Sequence, residues 1–168
     1  MKLNELLSAD LLREAAGTRR VLERAPEGRP DWKPHPKSMA LGYLTNLVAT
    51  MPSWIVKMVN QDHWDLHPAV GEPYKQPSQT TRAEWLATHD SGVAQAQQAL
   101  ANATDEHLLT VWKFMVAGNV VSEGPRHVMI RDGVLSHLAH HCGQLTVYLR
   151  LNSEPVPALY GPSADEGQ

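Results

Sequence analysis

Apolar residues recur at helical spacing in four long stretches of the chain. From Asn4 to Ala25, residues Leu6, Leu11, Leu12, Ala15, Ala16, Val21 and Leu22 mostly keep that period, and Pro26, Gly28 and Pro30 end it. The approach from Asp31 to Lys37 is Pro-rich and reads as extended. Ser38 then offers a cap for a second helix from Met39 to Val59. Its stripe is Met39, Leu41, Leu44, Leu47, Val48, Met51, Ile55 and Met58. Pro52 sits inside that stripe, where it removes one backbone hydrogen bond and predicts a kink.

Asn60 to Thr80 is a long polar connection, a length that marks functional or covering loops. Thr81-Arg82-Ala83-Glu84 has the form of a capping box and opens a third helix, to Ala101. A short helical turn follows from Thr104 to Leu109. Val111–Val116 and Val120–Ser122 flank Ala117-Gly118-Asn119 and predict a small hairpin. The fourth helix starts near Pro125, a residue suited to a first helical position, and runs to Asn152. No repeat or linker interrupts the chain, so residues 1–168 read as one domain. The pattern predicts an all-α, up-and-down four-helix bundle with a small β-hairpin before the last helix.

Charge and composition narrow the function classes. The net charge is −3 and no Lys/Arg cluster occurs, which argues against nucleic acid as a partner. No apolar run approaches the ~18 residues of a membrane span. The acidic residues near the N-terminus do not suit a signal peptide, so a cytoplasmic location is expected. Cys142 is the single cysteine, which excludes an intramolecular disulfide. Histidine is abundant, with nine residues, and its placement carries the chemistry.

The last predicted helix holds His137-Leu-Ala-His140-His141. His137 and His141 lie about 40° apart around the helix and one turn apart along it, so both imidazoles can reach one centre. That i,i+4 pair recurs in metal sites. Gln144 returns to the same stripe, with His140 at its edge. Polar groups on a core-facing stripe require partners, and a divalent ion would be one. A tight site requires three protein ligands, so a further ligand must come from another helix.

The run Leu135-Ser-His137-Leu-Ala-His-His141-Cys-Gly-Gln144-Leu-Thr-Val-Tyr-Leu-Arg150 resembles the last helix of the DinB-like superfamily. Trp32-Lys-Pro-His-Pro-Lys-Ser38, Met51-Pro52-Ser-Trp54 and the tail Pro155-Val-Pro157 with Tyr160 to Glu166 extend the likeness over nearly the whole chain. The resemblance implies a four-helix bundle, a homodimer, and a divalent metal, zinc or nickel. That metal is held by one histidine of the second helix and two of the fourth. His137 and His141 match the latter two, whereas Asn46 stands at the second-helix position in this alignment, and an amide oxygen is a weaker ligand than imidazole. Cys142 stands where relatives carry Arg.

Two functions are therefore expected. One is a metal-dependent transferase or hydrolase, with transfer of a low-molecular-weight thiol to a small electrophile as the family-like reaction. The other is a non-catalytic ligand-binding or stress-response protein with a degenerate metal site, which Asn46 favours. Cys142 reads as a small packed thiol. The five tryptophans read as residues that lock loops and fill the bundle ends, with a substrate cleft as the alternative. His63, His67 and His89 are candidates to approach the open end of the bundle.

Overall fold

The computed structural model describes residues 1–166. Helix α1 (Leu3–Leu22) buries Leu7, Leu11, Ala15, Val21 and Leu22. The second helical rod is divided. It consists of α2 (Leu41–Thr50), a 3-10 turn (Met51–Ser53) and α3 (Trp54–Asn60). Pro52 lies in the turn, so the expected kink takes the form of one tightened turn. Ala40, not Ser38, is the cap of α2.

Helix α4 (Arg82–Ala101) begins on the expected box, with the Thr81 hydroxyl accepting from Glu84 N and the Glu84 carboxylate accepting from Thr81 N. Gly92 lets it approach the 3-10 turn closely: a Cβ there would meet Ser53 N at 3.2 Å. The short helix α5 (Asp105–Leu109) leads into the sheet. The last rod comprises α6 (Arg126–Ile130), a π-helical stretch (Arg131–Ser136) and α7 (His137–Leu151).

The sheet corrects the expectation of an all-α chain with a lone hairpin. Strands β2 (Val111–Val116) and β3 (Asn119–Pro125) do pair antiparallel, but a third strand, β1 (His63–Asp65), pairs parallel with β2. The chain is therefore mostly helical with a small three-stranded sheet. Ala117 and Gly118 both have positive φ, 51° and 79°, as a two-residue hairpin turn demands. The Asp65 carboxylate holds this turn, accepting from Ala117 N at 2.9 Å and Gly118 N at 2.7 Å. One acidic side chain thereby ties the long 60–80 connection to the hairpin.

The core forms two clusters. One unites α1, α2 and α7 through Leu22, Leu44, Val48 and Leu145. The other unites α1, α3, α4 and the π-helical stretch through Leu11, Ile55, Leu100 and Val134. Trp54 packs against both. It thus stands at the seam where the second and last rods meet.

Candidate functional site

The π-helical stretch places an irregular turn immediately before His137, a feature frequent at functional sites. His137 and His141 then stack one turn apart on α7, with ring centroids 4.5 Å apart. Their Nε2 atoms face each other at 2.7 Å. The opposite nitrogens both meet acceptors. His137 Nδ1 lies 3.3 Å from Gly133 O, and His141 Nδ1 lies 2.7 Å from Gln144 Oε1.

With Gln144 oriented in this way, both of these partners are carbonyl oxygens. A carbonyl oxygen only accepts, so each Nδ1 carries a hydrogen. The Nε2 lone pairs are then directed at one another, and a proton or another cation between them reconciles the pair. Imidazoles that bind metals are oriented by the same means, with the far N–H given to a carbonyl or similar acceptor. His141 is buried, and burial is the first reason its pKa lies below the ordinary 6.5. The bond to Gln144 opposes that shift, and the neighbouring His137 and His140 add to it.

The pair opens onto a cavity of about 580 Å³. Its walls come from five parts of the chain. Met39 just before α2, with Tyr43 and Leu47 on it, forms one part, and Trp54 and Met58 on α3 another. The 60–80 connection contributes Trp64, Leu66, Tyr74 and Gln76; the hairpin contributes Trp112, Phe114 and Ser122. Met129, Asp132 and Gly133 complete the wall beside the histidines. The rings meet edge to face: Trp54–Trp64 at 5.6 Å, Trp64–Tyr74 at 5.0 Å and Trp64–Phe114 at 6.5 Å between centroids. Three of the five tryptophans therefore line the site and do not merely fill bundle ends. The other two are structural: Trp32 packs on Tyr148, and the Trp85 indole donates to Gln79 O.

Asn46 does not face this cavity. It is buried on another side of α2, with its carboxamide committed to Gly42 O and to both backbone groups of Gln79. The α2 residues that line the cavity with the histidines are Tyr43 and Leu47, one turn apart. One position on a helix is a rotation of about 100°, enough to carry a side chain off the face. The structure therefore does not bring Asn46 to the pair, and Leu47, the next residue, puts an apolar side chain on the wall. Among the described residues no group of three His, Cys, Asp or Glu side chains comes together.

The remaining candidates lie elsewhere. Cys142 is buried beside Thr18, and burial pushes its thiol up to about 11, which suits packing and not nucleophilic attack. It lines a separate cavity of about 590 Å³ with Arg13, Glu14 and Tyr160. That cavity is equal in volume to the first but lacks a histidine among its walls. His63 and His67 are exposed in the connection. His89 is buried on α4 against Asp90. His140 touches His141 edge-on, 5.1 Å between centroids, but is exposed.

None of the protein-family models matches the chain, and no curated protein does. Solved structures do. A DinB-like protein from Bacillus cereus ATCC 10987 superposes with a TM-score of 0.72 at 21% identity, covering 93% of this chain and 97% of that one. The DinB-like protein YjoA from Bacillus subtilis gives 0.67 at 14% identity, covering 94% and 99%.

The chain has the DinB-like fold. The resemblance read from His137–Arg150 and the backbone thus agree. Within the DinB-like frame, the aromatic wall is what the sequence pattern concealed. Its members are scattered from Met39 to His141, and the 60–80 connection that supplies four of them has no periodicity to interpret.

Proposed function

We propose that this DinB-like chain binds a small organic molecule in the aromatic cavity, with the His137–His141 pair as the polar end of the site. The observation that carries this reading is the pair of facing Nε2 atoms opening onto about 580 Å³ of mostly apolar wall. A volume of about 300–1,000 Å³ with a few convergent polar groups is the usual form of a small-molecule site. The helical body is taken as the up-and-down four-helix bundle of the resemblance, acting as a homodimer in the cytoplasm.

A zinc or nickel ion fits this donor set only in part. Both imidazoles have the oriented Nδ1–H of a metal ligand, yet Leu47 occupies the place from which the second helix would supply a third. Catalytic zinc keeps three protein ligands. Leu47 favours the non-catalytic reading. The second reading, a metal-dependent thiol transferase or a hydrolase, draws its support from the Nδ1 partners alone.

Metal content and zinc titration of untagged protein separate the two, with His137→Ala/His141→Ala as control. Substoichiometric metal and weak zinc binding are expected. A near-stoichiometric divalent ion, lost in the control, would overturn the binding-protein reading and justify thiol-transfer assays.

A further inference from the structure

The cavity's charge inventory carries one step more, resting on the small-molecule reading above. Among the described residues its wall includes no Lys or Arg. Two cations touch wall residues from outside, the Lys57 ammonium 5.4 Å from the Trp64 ring centroid and Arg131 beside Asp132, and neither is part of the wall. One carboxylate, Asp132, lies at the rim, already bonded by Arg131. An anionic ligand would therefore surrender its hydration with no charged partner in return, a heavy cost in an apolar site.

The polar group of the wall that lacks a partner is a donor. Trp112 is 1% exposed and lines the cavity, and its indole N–H meets no acceptor among the described residues. The Trp54 N–H and the Tyr74 hydroxyl, on two further wall residues, face each other and partner one another, so the Trp112 N–H is the donor left over. Indole N–H donates only, so what is missing is an acceptor. The apolar remainder combines flat rings with the adaptable thioethers of Met39, Met58 and Met129. Thioethers make favourable contacts at aromatic ring edges.

We infer that the site takes an uncharged aromatic molecule bearing a carbonyl-type acceptor, seated between the indole wall and the histidine pair. It excludes anionic ligands, acidic low-molecular-weight thiols among them.

Three probes with one ring system test this on the full chain: naphthalene-2-carboxamide, naphthalene-2-carboxylate and 2-naphthylmethylammonium. Quenching of tryptophan fluorescence and calorimetry report binding. The carboxamide should bind about tenfold or more tightly than either ion: the carboxylate finds no cation on the wall, and the ammonium offers the Trp112 N–H no acceptor. Ser122 lines the cavity from an exposed position of β3, so Ser122→Lys adds a cation without disturbing the core. That variant should shift preference towards the carboxylate. Equal or tighter binding of either ion to the unaltered chain, lost on His137→Ala/His141→Ala, would overturn the neutral-ligand inference and leave the site reading standing. Failure of all three probes to bind would overturn both.

Discussion

Asn46 and Gln79 are joined as two strands are. The Asn46 Nδ2 donates to Gln79 O, and the Gln79 N–H donates to Asn46 Oδ1, each at 2.9 Å. A side chain on α2 thus imitates a backbone and fastens the end of the 60–80 connection to the helix. Gln76, three residues earlier, adds a bond from its side chain to Tyr43 O. The connection is thereby held over the cavity that Trp64, Leu66 and Tyr74 help to wall.

Asn46→Ala should loosen that attachment. Gln79 O keeps the Trp85 indole, but the Gln79 N–H is left without a partner, at about 1–3 kcal/mol. Urea unfolding should show a loss of that size, and amide exchange should quicken around Gln79 before the helices respond. Unchanged protection there would deny Asn46 its fastening role.

Leu47→His, and not Asn46→His, should create metal affinity. Outer partners of metal ligands alone alter affinity about 10–100-fold, and a new direct ligand should do no less. Calorimetric zinc titration of the two variants decides the matter. A gain in Asn46→His with none in Leu47→His would bring Asn46 back as the second-helix ligand.

Arg126 should prove a structural keystone despite its charge. It is 1% exposed, and its guanidinium donates to Met58 O, to Gln61 O at 2.6 Å and to Thr110 Oγ1 at 3.3 Å. It thereby closes the C-terminal end of α3 and joins it to the turn before β2. Arg126→Met keeps the apolar stem but leaves these acceptors unsatisfied, at about 1–3 kcal/mol for each one. Chemical unfolding should register the loss. A midpoint equal to that of the parent would mean water replaces the guanidinium.

Acid should destabilise the fold earlier than its carboxylates alone would dictate. His89 is 2% exposed, and burial holds its pKa below 6.5 against the opposing pull of Asp90. His141 shifts in the same direction. An unfolded histidine takes a proton near its ordinary value while the folded one resists, so the unfolded state gains as pH falls below about 6.5. Their contribution is intact above that value and is lost below it. Urea midpoints between about pH 7 and 5 should therefore decline, and His89→Gln should flatten the slope. An unaltered slope in the variant would place the acid sensitivity elsewhere.

The helices were legible because their signals are local. The Thr81–Glu84 box fixed the start of α4, and its predicted end at Ala101 matches the structure. Pro52 marked the break in the second rod. Strand β1 was not legible, since His63-Trp64-Asp65 is too short to alternate and is made a strand by β2, some fifty residues away. The π-helical stretch likewise leaves no imprint in an apolar pattern interpreted at the α period. At the site, His137 and His141 were found by spacing along one helix. Leu47 escaped because apolar residues carry no chemical signature, and a one-residue error on a helix changes the face completely.

The walls of the cavity also have an order in time. On a growing chain the residues from Met39 to Trp112 emerge well before the histidines, and synthesis proceeds at about 5–20 residues per second. For several seconds a nascent chain therefore holds exposed tryptophans and methionines with nothing to close over them. His141 is the last wall residue to be made, so the polar end of the site is also the final piece of its enclosure. The cavity is enclosed only when the last long helix has left the ribosome.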